Sequence, residues 1–321
     1  MFHVVVNPAG ASGKTGKQWK KLEEILRNEH VSYEVHFSTP VFGIEDICRD
    51  LTKDADTETD LIIVGGDGTM NEAVNGITDF SKVRLGYVPA GSGNDLARSL
   101  SLPNDRNKIL LTIIQGEVRR TVDVGEVTFH NTYDIIKGSP KAFVPGKPVI
   151  RRFMSGCGIG FDAHICQQVL VSKFKNVLNK VHLGKLVYVA TAAKVIMTEK
   201  MVPFEITTAE GSTSYGKCLF TVGMNEPYEG GGFRFCPHAD DHDGKLTMCT
   251  ADNMRKIDFF RIFPYAYHGN HLKFRGVTEY ASETLDIKTE EPLWVHTDGE
   301  VACRSSRISM RLLGNQLKLL M

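Results

Sequence analysis

"LIIVGGDGTMNEAVNGI", residues 61–77, sets four apolar residues before three glycines, one carboxylate and a threonine, then returns to apolar residues at helical spacing. Leu61 to Val64 reads as a buried strand, and Met70, Ala73, Val74 and Ile77 fall on one face of a helix. The turn Gly65-Gly66-Asp67-Gly68-Thr69 therefore joins the carboxyl end of a strand to the amino end of a helix. Outward from it the same unit recurs. "FHVVV" (2–6) leads to a helix carrying Trp19, Leu22, Ile25 and Leu26 on one face, and "YEVHF" (33–37) leads to Ile44, Ile47, Cys48 and Leu51. A fourth strand, "RLGYV" (84–88), runs into "PAGSGNDLARSL", another glycine-rich turn that opens a helix. Consecutive β-α units predict a parallel sheet covered by helices.

Beyond about residue 118 the texture changes to strands: "RTVDVGEV", "FEITTA", "KCLFTVGM", "KLTMCTA", "TLDIKT" and "LWVHTDGE". A mostly antiparallel second domain follows, interrupted by a helical stretch near 163–200. A chain of 321 residues with 42% apolar content accommodates two domains, here 1–120 and 121–312, with 313–321 returning as a strand to the first. Lys plus Arg and Asp plus Glu number 38 each, so no global field draws the chain to nucleic acid. Seven cysteines without a C-x-x-C pair exclude a disulfide framework and a thiolate zinc site, and Cys157 and Cys166 read as packed side chains. No apolar run reaches the length of a membrane span, so the expectation is a soluble, cytoplasmic protein.

Three glycine-rich turns, "NPAGASGKTGK", "GGDGT" and "PAGSGND", lie at strand carboxyl ends, where open α/β sheets bind ligands. Glycines admit close backbone approach and helix amino ends offer free N–H groups, which together suit phosphate. Asp67 would repel phosphate without a cation between them, and Mg²⁺ is the cation that accompanies nucleotide phosphates. Gly10 and Gly13 are separated by two residues where a Walker A motif needs four, and no G-x-G-x-x-G follows a strand.

The blocks "NPAGASGK", "GGDGTMNEAVNGI", "PAGSGNDLAR", "GCGIGFDAHI", "NEPYEGGGFRFCPHADDHDGKL" and "HTDGE" resemble, in order, the signature blocks of the diacylglycerol kinase catalytic-domain family, specifically its soluble bacterial lipid kinases. The resemblance implies a parallel-sheet α/β domain of NAD kinase/phosphofructokinase type plus a β-rich domain. Between them, a cleft would carry out Mg²⁺-dependent transfer of phosphoryl from ATP to a lipid hydroxyl, most simply that of diacylglycerol. By this likeness Asn7, Pro8, Gly10, Ser12, Thr39, Gly66, Asp67, Gly68, Thr69, Asn71, Glu72 and Ser92 contact ATP. Asp67 and Asp95 organise the catalytic Mg²⁺, partly through water, and Glu300 is the general base with Asp298 beside it. "DDHDGKL" resembles a structural magnesium site, with the Asp243 side chain and the backbone carbonyls of Asp240 and Lys245 as ligands. Ser92 stands where many relatives have Thr, and 137–152 is longer and more basic than the family pattern.

Read without the likeness, several of these residues have simpler roles. Asn94 and Asp95 would cap a helix, and Asp298-Gly299 is a hairpin turn between "LWVHT" and "EVACR" that leaves Glu300 a strand-end acid. "DDHDGK" fails the EF-hand spacing, because Ala239 occupies the first ligand position. Two stretches are candidates for an anionic membrane surface. Residues 137–152, "KGSPKAFVPGKPVIRR", hold five basic side chains and a Phe143-Val144 tip, and 171–200 carries six Lys against Glu199. The expected partners are a lipid acceptor at the inner membrane face and no nucleic acid, with a homodimer as an allowed assembly. The alternatives are a kinase of a soluble acceptor such as NAD, and a catalytically silent binding protein.

Overall fold

The computed structural model describes residues 1–54, 57–171, 194–314 and 316–321. In the first sheet β1 (Phe2–Val6), β2 (Tyr33–Phe37), β3 (Thr59–Gly65) and β4 (Val83–Pro89) are parallel in the order β2-β1-β3-β4. The strands β1 and β3 are apolar on both faces because helices cover both. Trp19, Leu22 and Leu26 of α1 (Gly10–Asn28) share one core with Ile109, Leu110 and Ile113 of α5 (Arg106–Ile113). On the other face α2 (Ile44–Thr52) and α3 (Asp67–Gly76) pack their own apolar stripes. Strand order reverses at β1, so α1 and α3 leave β1 and β3 on opposite faces and a crevice opens between them.

Two further strands complete this sheet. β5 (Val118–Val122) pairs antiparallel with β15 (Leu317–Leu320), which is parallel to β4. The expected boundary at 120/121 thus falls inside β5. "RTVDVGEV", read as one strand, is two: β5 in the first sheet and β6 (Gly125–Phe129) in the second. Val122 and Val124 alternate but Val127 is a residue out of step, and the crossing is made at Asp123, whose N–H donates to the Asp241 carbonyl.

The second sheet has nine strands among the described residues, and their pairings are antiparallel. Besides β6 they are β7 (Val149–Phe153), β8 (Gly156–Gly160), β9 (Val202–Thr208), β10 (Gly211–Met224), β11 (Leu246–Asp252), β12 (Val277–Ser282), β13 (Thr284–Thr297) and β14 (Glu300–Leu312). β10 and β13 are long, and β8 and β9 each bridge them, β8 near their carboxyl ends and β9 near their amino ends. The result curls toward a barrel. "TLDIKT" and "LWVHT" belong to the single strand β13, whose register shifts between Lys288 and Leu293, where Pro292 has no N–H to give the ladder. β7 is unexpected because two arginines interrupt an apolar pattern, yet Val149, Arg151 and Phe153 are all buried. α6 (Phe161–Val171) opens the expected helical stretch, of which 172–193 lies outside the described residues. α7 (Lys256–Ala266) packs Phe259 and Ile262 on the second domain's core.

Candidate active site

The three glycine-rich turns converge. Asn7 Nδ2 donates to Thr69 Oγ1 at 3.3 Å, which links the first turn to the second, and buried Thr15 donates to the Ala90 carbonyl at 3.4 Å. Gly66 and Gly91 pass so closely that a Cβ on Gly91 would lie 2.6 Å from the Gly66 Cα. Here glycine is required by space. In the first turn Ala11, Ser12 and Gly13 all have positive φ, so the regular helix begins only after them. Ser12 and Ser92 are exposed on their turns, beside Pro8 and Gly10 in the first and Gly91 in the third. Asn94 closes that third turn, its amide exchanging two hydrogen bonds with the Gly91 backbone.

Asp67 begins α3 and accepts N–H bonds from Asp95 (3.2 Å) and Leu96 (3.3 Å), the first residues of α4 (Asp95–Ser99). Burial first, and then the Asp95 charge, push Asp67 up to about 6 against these two bonds. The Tyr87 hydroxyl is buried close by and pushed well up, by burial first and then by the Asp67 charge. Asp95 is itself held from both sides: Arg98 pairs with Oδ1, and the Gly231 N–H donates to Oδ2 at 2.7 Å. Two crowded carboxylates beside a glycine cradle supply the hard oxygen donors that Mg²⁺ takes, and a cation there would relieve their repulsion. The residues fit the metal.

The β-rich domain closes the other side. The β13–β14 hairpin turns at Asp298 (φ 51°) and Gly299 (φ 78°), the pair of positive φ values that a two-residue turn needs. Asp298 accepts from Asn71 Nδ2 (2.9 Å) and from the N–H groups of Met154 (2.9 Å), Ser155 (2.7 Å) and Gly156 (3.1 Å). Burial raises its pKa, and these donors oppose the rise. So anchored, the turn sets Glu300 over the second glycine turn, where a Cβ on Gly68 would meet Glu300 Oε1 at 2.5 Å. Asp67, Asp95, Asp298 and Glu300 thus meet across one cleft, although they lie in three separate sequence blocks.

Other expected site residues are placed differently. Glu72 accepts the Ile44 N–H at 3.2 Å as a cap on α2, and burial first, with the Glu300 charge adding, raises its pKa. Thr39 Oγ1 accepts the Phe42 N–H at 3.0 Å in an exposed turn after β2. Asp243 accepts the Lys245 N–H at 2.8 Å, and the side chains that converge in this loop are those of Asp240, Asp241 and His242. Asp241 is buried and paired with Arg120, and it also bonds the neighbouring buried Glu226, whose pKa is raised by burial first and then by the Asp241 charge.

The basic stretch 137–152 needs correction. Phe143 is buried and stacks edge-on against Phe129, so only Val144 of the supposed tip is exposed. Arg151 is 6% exposed and pairs with Glu45 of α2 at 2.9 Å. Arg152 donates to the carbonyls of Val74 (3.3 Å) and Ile77 (2.6 Å) and lies over Phe80. Both arginines join the domains, because β7 lies against α3 and Arg151 reaches Glu45 on α2, leaving Lys137, Lys141 and Lys147 exposed. Of the second basic stretch, 172–193 lies outside the described residues.

A cluster with no local sequence signal sits beneath the hairpin turn. His296, 1% exposed, bonds Asp162 through Nε2 at 2.9 Å, while Glu229 Oε1 lies 3.1 Å from Nδ1. The Gly299 N–H also donates to Nδ1, at 3.2 Å. Burial raises Glu229 to about 8; burial works to lower His296, but the neighbouring Glu229 and Asp162 charges outweigh it and raise His296 to about 9.

Comparison with known proteins matches this architecture. Residues 1–127 match the diacylglycerol kinase catalytic domain, and 158–321 match the YegS C-terminal NAD kinase beta sandwich-like domain. YtlR of Bacillus subtilis (strain 168), which carries a lipid-kinase name, is 26% identical over 298 residues, 92% of each chain. A diacylglycerol kinase of Staphylococcus aureus (strain bovine RF122 / ET3-1) is 25% identical over 304 residues, 92% of this chain and 85% of that one. A Bacillus anthracis str. Sterne structure solved under a diacylglycerol kinase name shares the fold, with TM-score 0.72 at 21% identity over 99% of this chain and 96% of its own. Yeast NADH kinase shares it more distantly, with TM-score 0.52 at 11% identity over 99% and 82%. The chain belongs to the diacylglycerol kinase catalytic-domain family and is a lipid-kinase-type phosphotransferase whose family chemistry depends on ATP and Mg²⁺.

Proposed function

We propose that the protein phosphorylates diacylglycerol to phosphatidic acid, meeting its acceptor at an anionic membrane surface. The observation that carries this reading is Glu300, held over Gly68 by the Asp298 anchor and facing the turn that bears Asp67. In this scheme the α/β unit formed by 1–120 and 313–321 binds ATP, and the β-rich unit 121–312 receives the lipid.

The glycine turns bearing Asn7, Gly10, Ser12, Gly66, Gly68 and Ser92 cradle the phosphates with backbone N–H groups, and Thr69 is oriented by Asn7. Asp67 and Asp95 hold Mg²⁺, which when bound offsets charge on the phosphates. Glu300 accepts the proton of the acceptor hydroxyl as its oxygen bonds to the γ-phosphorus and the bridge to the β-phosphate breaks. Asp298 binds no substrate in this account; it fixes the backbone that presents Glu300. The Asp243 side chain and the backbone carbonyls of Asp240 and Lys245 would hold a structural cation. No helix among the described residues is long and apolar enough to cross a membrane, so lipid would be reached from the surface.

The test is a phosphorylation assay with labelled ATP over a panel of diacylglycerol, monoacylglycerol, sphingoid base, polyprenol and NADH. Label in phosphatidic acid is the expected result. Label only in NADH would overturn the lipid reading, and label in another lipid would overturn the choice of acceptor.

A further inference from the structure

Three stretches left idle by this chemistry, "GCGIGFDAHI" (156–165), "NEPYEGGG" (225–232) and the His296-Thr297 pair, meet at one point. On β8 the alternate residues Cys157 and Ile159 enter the core, which puts Gly156 and Gly158 on the opposite face. That face is cleared for polar side chains. A Cβ on Gly158 would collide with both Asp162 and His296, and one on Gly156 would come within 3.5 Å of Glu229. Gly158 makes room for the Asp162–His296 pair of a buried Asp162–His296–Glu229 cluster.

Burying two carboxylates around an imidazole is costly, and an apolar residue of similar volume would pack the site without that cost. The cluster has two connections that explain its presence. His296 Nδ1 receives the Gly299 N–H at 3.2 Å, within the turn that carries Asp298 and Glu300. Glu229 lies two residues before Gly231, whose N–H holds Asp95 at 2.7 Å. The cluster therefore bonds the mount of one wall and lies two residues along the chain from the mount of the other.

We propose that His296 is a positioning residue: clamped between Asp162 and Glu229, it holds Gly299 and so fixes the turn that presents Glu300 to the acceptor hydroxyl. The proposal rests on the reading of Glu300 as proton acceptor. Misplacement of a catalytic group by about 1 Å is enough to cost up to about a hundredfold in rate, so a clamp at this point controls turnover without touching substrate.

Two partial isosteres separate the clamp from simple packing. His296→Asn keeps an acceptor near the Nδ1 position and loses the Asp162 partner, whereas His296→Gln keeps a donor near Nε2 and loses the acceptor for Gly299. The expected kcat losses are about fivefold for Asn and about thirtyfold for Gln, with KM for ATP within about twofold of wild type in both. Glu229→Gln, which preserves shape, is expected to lose about threefold to tenfold. Thermal melting and fluorescent-nucleotide binding establish that each variant is folded. On a Glu300→Gln background, His296→Gln should cost no more than about twofold further, because the group it positions is already gone. Equal losses for Asn and Gln, or losses that multiply fully with Glu300→Gln, overturn the clamp. A wild-type kcat for Glu300→Gln alone instead refutes the proton-acceptor assignment, a result distinct from either.

Discussion

The two walls of the cleft are built by opposite means. On the α/β side the surface is backbone: Gly66 against Gly91, N–H groups at helix starts, and short side chains such as Thr69 and Asn7 that tie one turn to the next. On the β-rich side it is side chain upon side chain, with Asp298 collecting four donors and His296 wedged between two carboxylates. The first construction suits a ligand whose recognition is mostly charge and close approach. The second suits a single carboxylate that must be placed accurately relative to that ligand.

The largest effect should come from the backbone-built wall. Asp67→Asn is expected to reduce turnover by at least about a thousandfold, since an amide cannot serve as the anionic metal anchor. The same change should stabilise the metal-free protein. The folded-state pKa of Asp67, about 6, is above its ordinary 3.8, so between these values the folded chain binds the proton better than the unfolded chain. Stability contributed by this group is therefore present below pH 4, falls as pH rises through 6, and stays lower above it. Asn removes that loss, which gives a gain on the order of 1–3 kcal/mol at pH 8 and none at low pH. Urea unfolding at both pH values, beside a kinase assay, checks the pair of outcomes; near-wild-type activity would reject the assignment.

The side-chain wall should respond more narrowly. Glu300→Gln keeps size and hydrogen bonding but cannot take a proton, so kcat should fall about a hundredfold with little change in nucleotide affinity. A collapse of nucleotide affinity with kcat retained would move Glu300 into the ATP site. Asp298→Asn should cost about 1–3 kcal/mol of stability, because an amide has one acceptor atom where four donors converge. Its kcat should drop roughly tenfold through the turn it anchors. Unfolding curves and steady-state rates together distinguish this from a purely local role.

The contrast also governs what could be read from the sequence. The α/β wall is local: each turn lies between a strand and a helix within a dozen residues, so β1 to β4 and their glycine loops were legible, and the loops' convergence followed from the parallel sheet. The other wall depends on partners far apart, with Asp298 reaching Asn71 across 227 positions and His296 reaching Asp162 across 134. Nothing local marks such pairs, so the Asp162–His296–Glu229 cluster stayed invisible and Glu300 drew its interest only from family likeness. The split of "RTVDVGEV" into β5 and β6 depends on distant partners too, since β5 pairs with β15 and β6 with β14. Arg151 and Arg152 were misread because a basic run looks solvated until partners such as Glu45 on a distant helix are known.

That misreading sharpens the smallest prediction. In the stretch 137–152 only Lys137, Lys141 and Lys147 are exposed cations, while Arg151 and Arg152 hold the two domains together. Replacing the three lysines with Gln should leave folding and detergent-micelle activity unchanged and lower activity on anionic vesicles a few-fold. Each lysine would contribute up to about 1 kcal/mol of membrane affinity, and salt should screen it. Exposed Val144 would add a smaller term that salt does not weaken. Arg151→Gln should do the reverse, lowering stability through loss of the Glu45 pair while sparing vesicle binding per folded molecule. Co-sedimentation with anionic vesicles at low and high salt, run on both variants, decides between the loops. If the triple-lysine variant binds like wild type at low salt, this stretch plays no part at the membrane, and its basic character serves only the junction between the domains.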